Sequence, residues 1–144
     1  MPVHEHTTHS AEETIALGRQ LASTLKTVRL VLLRGDLGAG KTTLVKGIAE
    51  GMSAAAQEDV TSPTFTLVHE YRGPDVCIYH VDLYRIETTR ELETLGLDEL
   101  LGELGNLVLV EWGEKFPRFE RERDVEIRIE HRGEQDRRFV VTKK

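Results

Sequence analysis

A glycine-rich segment that contains a lysine and a threonine carries the clearest chemical signal in this sequence. Residues 35–42 read GDLGAGKT, which satisfies the phosphate-loop pattern G-x-x-x-x-G-K-[ST]. Glycines allow the backbone to curl so that successive N–H groups point at phosphate oxygens, and the helix that follows adds its positive N-terminal end. Lys41 offers a mobile positive charge to terminal phosphates, and the Thr42 hydroxyl is a hard oxygen ligand for Mg²⁺. The segment predicts nucleotide binding; a glycine-rich turn that only caps a helix is the alternative interpretation.

Two acidic residues follow apolar stretches and are candidates for holding a metal ion. Asp82 lies in IYHVDLYR, and Glu111 lies in LVLVEWGEKF. Because the carboxyl ends of parallel strands meet at one sheet edge, both carboxylates are expected to reach the phosphates. Phosphate-loop enzymes require a carboxylate for Mg²⁺ and a group that positions the attacking molecule. A solvated acid at a strand end is the alternative for each residue.

A third segment, VTSPTFTL at residues 60–67, places hydroxyl groups around a proline. A stiff loop of this kind, between a helix and a strand, can sense a γ-phosphate as switch loops do. Ser62 and Thr64 are then the candidate sensing residues. Ordinary turn chemistry explains the Ser-Pro pair equally well.

The elements that must position these residues are predicted from the spacing of apolar side chains. Ser10 and Glu13 match a capping box and predict that a helix begins at Ser10. The other predicted elements are strands at 28–33, within 60–72, at 76–84 and at 106–112, helices at 41–52 and within 87–105, and a hairpin from 125 to 141. The first nine residues are expected to form a mobile tail, and residues 10–144 a single domain. This order predicts an α/β fold with a mixed, mostly parallel sheet flanked by helices and a C-terminal antiparallel hairpin.

Composition and charge limit the possible classes of protein. The 144 residues fit one domain, and a single cysteine excludes an intramolecular disulfide framework and a cysteine-based zinc cluster. The net charge of −6 argues against a general nucleic-acid binder, because such proteins need a basic surface. The sequence shows neither a secretory signal nor an apolar run long enough to span a membrane, so a cytoplasmic protein is expected.

The charge is distributed unevenly along the chain. Residues 1–114 carry −9 and residues 115–144 carry +3, and between residues 86 and 114 eight acids stand against Arg90. That acidic stretch is a candidate protein-docking face. The basic C-terminal part is either solvated strand surface or a patch that meets tRNA or an acidic partner inside an assembly. Its residues include Arg118, Arg121, Arg132, Arg137 and Arg138.

Six segments in order resemble the TsaE family, also called YjeE, of small bacterial ATPases that act in tRNA threonylcarbamoyladenosine synthesis. The segments are HSAEETIALGRQLA, GDLGAGKTTLVKGIAEG, VTSPTFTLVHEY, IYHVDLYR, LGLDELL and LVLVEWGEKFP. The resemblance covers about residues 10–117, and the C-terminal hairpin is only generically similar. It implies a single P-loop NTPase-like domain that binds ATP or ADP together with Mg²⁺.

The resemblance also implies a working complex with two partners, TsaB and TsaD. Those partners transfer a threonylcarbamoyl group to the adenosine just 3′ of the anticodon, in tRNAs that read codons starting with A. The ATPase would power or reset the transferase between rounds and would not itself make the modified base.

The resemblance assigns roles to particular residues. Lys41 would contact the β- and γ-phosphates, and Asp82 would support the metal or position water. The implied catalytic residues are Lys41, Asp82 and Glu111, and the implied metal ligands are Thr42, Asp82 and Glu111. The implied nucleotide-binding residues are Thr8, Glu13, Asp36, Gly38, Ala39, Gly40, Lys41, Thr42, Thr43, Ser62 and Thr64, with Thr8 or Glu13 at the adenine or ribose. Trp112 either belongs to the core or reports nucleotide or partner binding.

Two other functions use the same phosphate loop. A small-molecule kinase phosphorylates a bound metabolite and usually adds an arginine-rich lid, for which the acidic residues 86–114 are a poor match. A non-catalytic module uses ATP only to gate the docking of a partner. The chain has no N-K-x-D guanine signature, which favours ATP over GTP.

Overall fold

The computed structural model describes residues 3–36, 38–64 and 66–144, so Leu37 of the phosphate loop and Phe65 of the predicted switch loop lie outside it. The strands are β1 (Val3–Thr8), β2 (Leu30–Arg34), β3 (Val68–Arg72), β4 (Cys77–Asp82), β5 (Asn106–Glu111), β6 (Val125–His131) and β7 (Arg137–Lys143). The helices are α1 (Ala11–Leu25), α2 (Lys41–Gly51), α3 (Thr89–Glu93), α4 (Leu97–Gly102) and α5 (Pro117–Glu122). None of the helices in the described residues is long and apolar enough to cross a membrane.

The strands form one sheet in the order β1-β7-β6-β2-β5-β4-β3. The four strands in the middle, β6, β2, β5 and β4, run parallel to one another. The pairings that involve β1, β7 and β3 at the edges are antiparallel. The predicted α/β fold with a mixed sheet, mostly parallel in its middle, is thereby confirmed, as is the antiparallel C-terminal hairpin. Helices α1 and α2 cover one face, and α3, α4 and α5 cover the other.

Strand β2 lies at the centre of the sheet and is buried on both faces. Val31 and Leu33 belong to the core under α1 and α2, whereas Leu30 and Leu32 belong to the core on the opposite face. Its neighbour β5 is paired with it in parallel and ends beside it at Glu111. The two parallel strands end side by side, so the polar groups that follow their buried apolar residues come together at that edge of the sheet.

The predicted mobile tail is wrong for residues 3–8, because these residues form β1 at the edge of the sheet. The strand pairs with β7 in antiparallel register, from Val3 opposite Thr142 to Thr8 opposite Arg137. Its stability comes from backbone hydrogen bonds to a strand at the far end of the sequence, and Thr8 is its one buried residue. The polar sequence VHEHTT therefore gives no apolar alternation from which the strand could be predicted.

Helix α5, which the apolar pattern does not predict, connects β5 to β6. Pro117 occupies its first turn, where a residue without an N–H is tolerated. The buried rings of Phe116 and Phe119 meet edge to face, with their centroids 6.3 Å apart. This connection allows β6, the first strand of the predicted hairpin, to lie parallel to β2 in the middle of the sheet.

Glycines allow α1 and α2 to approach closely. A Cβ atom at Gly47 would lie 2.0 Å from the carbonyl oxygen of Ile15, and one at Gly18 would lie 2.4 Å from the carbonyl oxygen of Leu44. Neither helix backbone can yield locally to such a clash, so a side chain at either position forces the helices apart. Since α2 begins at Lys41, this crossing also fixes the helix that carries the phosphate-loop lysine.

We expect Gly47→Ala to lower the free energy of unfolding by about 2–3 kcal/mol, because overpacking a close helix crossing costs energy at that scale. Chemical denaturation measures the change. Gly102→Ala in α4 is the matched control, since a Cβ there meets no atom within 4 Å, and we expect it to alter stability by less than about 0.5 kcal/mol. Equal stability of the two variants would show that the helices can separate freely.

Candidate nucleotide site

The glycine-rich loop joins the end of β2 to the start of α2. Gly38 and Gly40 adopt positive φ angles of 77° and 112°, a region that favours glycine. Gly40 caps the N-terminus of α2, and the amide of Ala39 donates to the carbonyl of Asp36 at 3.0 Å. The loop therefore curls tightly and leads directly into a helix N-terminus, which is the geometry that attracts an anion.

Lys41 is folded back over this loop and is only 5% exposed. Its Nζ donates to the carbonyl oxygen of Gly35 at 2.7 Å and lies 3.6 Å from Oε1 of Glu111. The same nitrogen lies 4.7 Å from the centre of the Trp112 ring, in cation–π geometry. The ammonium group is thus held at the edge where β2 and β5 end.

Glu111 ends β5 and is buried, with a second partner on the neighbouring strand. Nε2 of His80, a fully buried residue of β4, donates to Oε2 of Glu111 at 2.5 Å. Burial by itself raises the pKa of Glu111, but the hydrogen bond and charge of His80 and the charge of Lys41 outweigh it, and the net pKa lies below its ordinary value. Glu111 is therefore a carboxylate fixed between two nitrogen donors.

Asp82 lies beside Glu111, because the two residues are register partners at the ends of β4 and β5. It is buried, and the backbone N–H of Tyr84 donates to its Oδ1 at 2.8 Å. The hydroxyl of Thr64 donates to its Oδ2 at 3.1 Å, and Ser62 Oγ lies 2.8 Å from Thr64 Oγ1. The loop predicted to act as a switch is therefore hydrogen-bonded to one of the two predicted acids.

A cleft of about 170 Å³ opens between the phosphate loop, the start of α1 and the C-terminal hairpin. Gly40 and Thr43 lie along one wall, and Arg137 of β7 lies along another. The remaining lining residues are Ser10, Ala11, Thr14, Glu134 and Gln135. The Nε of Arg137 donates to the carbonyl oxygen of Ala39 at 2.9 Å, which joins the C-terminal hairpin to the loop.

Most of the predicted site residues come together at this sheet edge, but Thr8 and Glu13 do not line the cleft. Thr8 is buried and its hydroxyl lies 2.7 Å from that of Thr14. Glu13 accepts from the backbone N–H of His9 at 2.9 Å. Thr8 and Glu13 line a separate groove between β1 and α1. Their contact with adenine or ribose stays a prediction. Thr42 and Thr43 lie in the first turn of α2, half-buried, and Asp36 is exposed.

Two residues of the site, His80 and Arg137, are missing from the sequence-based set. The signal for His80 is present in IYHVDLYR, because a polar side chain in an apolar strand needs a partner as much as Asp82 does. Arg137 has no such signal, since its partner lies 98 residues away. The structure also weakens the interpretation of the C-terminal part as a basic patch. Nη2 of Arg132 and Nη1 of Arg138 lie 3.1 Å and 3.2 Å from Oε2 of Glu130, so an acid on the same hairpin balances part of their charge.

The oxygen donors at the sheet edge suit a magnesium ion. The carboxylates of Asp82 and Glu111 and the hydroxyl of Thr42 are hard ligands, and Mg²⁺ is usually held by one or two carboxylates together with phosphate oxygens and water. Both carboxylates are buried beside each other at the end of adjacent strands. The residues present therefore fit the ion that the sequence predicts.

The glycine loop connects a central parallel strand to a helix that begins with a lysine, and the adjacent strand in the sheet ends with an acid. This arrangement defines a P-loop-type α/β domain. The family model described as "Threonylcarbamoyl adenosine biosynthesis protein TsaE" matches residues 8–139. The chain therefore belongs to the TsaE family.

Individual relatives agree with this assignment. The chain is 44% identical over 109 residues to the tRNA threonylcarbamoyladenosine biosynthesis protein TsaE of Nostoc sp.. The aligned region covers 74% of this chain and 65% of that protein. It is 39% identical over 135 residues to the Bacillus subtilis protein of that name, and the aligned region covers 94% of this chain and 82% of that protein. The crystal structure of Bacillus subtilis YdiB superposes with a TM-score of 0.75 at 33% identity, covering 99% of this chain and 86% of that one. The chain spans slightly less than two thirds of the length of the Nostoc protein.

Proposed function

We propose that this chain binds and hydrolyses ATP as the nucleotide-dependent component of threonylcarbamoyladenosine biosynthesis, and that it works with TsaB and TsaD. The observation that carries the proposal is the position of Lys41, whose ammonium group joins the phosphate loop at Gly35 to the strand-end acid Glu111. A buried lysine whose ammonium group is held by a carbonyl and a carboxylate can exchange both for phosphate oxygens.

Nucleotide binding would use the loop and the start of α2. The backbone N–H groups around Gly38 and Gly40 and the N-terminus of α2 would bind phosphate oxygens. Lys41 would leave Gly35 and Glu111 and turn toward the β- and γ-phosphates. The cleft beside Gly40 and Thr43 would receive the nucleoside part of ATP or ADP.

Hydrolysis would use the acids at the ends of β4 and β5. Thr42, Asp82 and Glu111 would hold Mg²⁺, which supplies positive charge to the phosphate oxygens when it is bound. His80 would keep Glu111 oriented after Lys41 has turned away. Asp82, which accepts a hydrogen bond from Thr64, would also accept one from the attacking water and so place that water in line with the γ-phosphate.

The partner surface is proposed from charge. Helices α3 and α4 expose mostly acidic side chains, and Leu104, in the loop that follows α4, is 97% exposed. Such a surface favours docking of a protein with basic residues over contact with tRNA phosphates.

We expect phosphate release from ATP to be slow with the chain alone and to rise when TsaB and TsaD are added. A colorimetric phosphate assay with each protein omitted in turn measures this, and an assay of threonylcarbamoyladenosine formation in tRNA with and without the chain tests the biological role. Equal rates with and without the partners, together with phosphoryl transfer to a small metabolite, would identify a kinase instead. Nucleotide binding without any hydrolysis would identify a gated binding module.

A further inference from the structure

Arg137 connects the β6–β7 turn to the phosphate loop through a set of backbone carbonyls. Its Nε donates to the carbonyl of Ala39 at 2.9 Å, and its Nη1 donates to the carbonyl of Asp136 at 3.0 Å and to that of Glu134 at 3.2 Å. A guanidinium group is planar and presents its donors in a fixed arrangement. Bonds in two directions therefore fix the Ala39 carbonyl relative to the hairpin.

The neighbouring Arg138 shows that this arrangement is particular to one side chain. Arg138 also lies on β7, but it bonds to the carboxylates of Glu130, at 3.2 Å, and of Glu5. The hydrogen bonds of Arg137 in the described residues all go to backbone carbonyls. Arg138 thus has the contacts of an ordinary surface ion pair, whereas Arg137 holds main chain at the site.

Fixing the Ala39 carbonyl also fixes the amide of Gly40, because the two groups belong to one peptide unit. The described residues contain no cis peptide bond, and in a trans peptide the C=O and N–H groups point in opposite directions. The carbonyl faces Arg137, so the Gly40 N–H faces the opposite side of the loop. Gly40 has a φ of 112° and no side chain to hold its conformation, so this peptide needs an external restraint.

We propose that Arg137 is a positioning residue for the nucleotide phosphates, which holds the 39–40 peptide so that the Gly40 N–H is presented to a phosphate oxygen. The inference rests on the proposed nucleotide binding and assigns a role in it to the C-terminal hairpin. It agrees with the position of Arg137 on the wall of the cleft beside Gly40 and Thr43. Preorganised donors strengthen binding because no ordering cost remains when the ligand arrives.

Calorimetric titration of the full chain with ADP and Mg²⁺ tests the proposal. Arg137→Gln is expected to weaken ADP binding about tenfold, in line with the loss of a charge-assisted hydrogen bond, whereas Arg138→Gln is expected to leave it unchanged. Arg137→Lys keeps the charge but cannot make the forked bonds, so it is also expected to bind weakly. Full affinity in Arg137→Lys or in Arg137→Gln would overturn the inference. Failure of the unsubstituted chain to bind ADP would instead overturn the proposed function.

A second measurement begins with the unsubstituted chain, so that its first result does not depend on whether a variant folds. In amide NMR spectra, ADP is expected to shift the Gly40 N–H resonance strongly, as a phosphate hydrogen bond does. In Arg137→Gln the Gly40 shift is expected to shrink, while that of Thr42, whose amide lies in the first turn of α2 and outside the 39–40 peptide, persists. A Gly40 resonance that does not respond when calorimetry shows that ADP is bound to the unsubstituted chain would overturn the inference.

Discussion

Replacement of Lys41 by alanine is expected to weaken the binding of ADP and ATP at least about 100-fold, because truncating a buried, hydrogen-bonded charge costs several kcal/mol. The ammonium group bonds to Gly35 of the loop and lies beside Glu111, where it can meet a phosphate group. Trp112, the single tryptophan of the chain, lies 4.7 Å from it. We therefore expect ADP to change the tryptophan fluorescence of the unsubstituted chain, and calorimetric titration with ADP and ATP measures the loss of binding in the variant.

Lys46→Ala provides the matched control for this experiment. Lys46 lies on the same helix, five residues beyond Lys41, so the two variants change the charge of α2 equally. We expect the Lys46 variant to bind ADP like the unsubstituted chain. Equal loss of binding in both variants would mean that the net charge of α2, and not the position of Lys41, attracts the nucleotide.

Replacement of Glu111 by glutamine is expected to reduce partner-stimulated ATP hydrolysis at least about 100-fold while changing ADP affinity far less. Loss of one preorganised electrostatic group at the reacting phosphate typically has an effect of that size. Glutamine keeps the shape of the side chain and can still accept from His80, so the substitution removes mainly the charge and a hard metal ligand. Phosphate release in the presence of TsaB and TsaD measures the rate, and calorimetry with ADP measures binding.

Glu70→Gln is the control for Glu111→Gln, because Glu70 is an exposed acid on β3 that pairs with Arg72. We expect this variant to hydrolyse ATP normally. If the Glu111 variant also hydrolyses ATP at the normal rate, its proposed metal role is wrong. If it loses ADP affinity as strongly as activity, the carboxylate acts in binding and not in the chemical step.

The parts of the fold that the sequence predicts correctly are those with local signals. The segment GDLGAGKT stands between an apolar strand and a helix that are adjacent in sequence, so neighbouring residues determine its structure. Asp82 and Glu111 end apolar strands, and parallel pairing of those strands brings them side by side. Strand β1 has no local signal, because its polar residues are ordered by pairing with β7, which is distant in sequence.

The contacts that complete the site depend on register and on long-range packing. His80 meets Glu111 because β4 and β5 are adjacent in the sheet, which no residue near His80 in sequence indicates. The bond from Arg137 to Ala39 requires that β6 enters the sheet beside β2, and so depends on the connection through α5. A single sequence contains the residues for such contacts but not their pairing.

The edge position of β1 has a practical consequence for shortened forms of the chain. Residues 3–8 satisfy the outer row of backbone N–H and C=O groups of β7. Strand β1 is itself an edge, but it is short and mostly polar. A chain cut to begin at residue 10 would move the open edge to β7, a strand of seven residues that contains Phe139, Val140 and Val141 and is a stronger template for strand exchange and aggregation. The polar segment at residues 3–8 therefore limits aggregation through the edge of the sheet, and we expect a form of the chain without it to be less soluble.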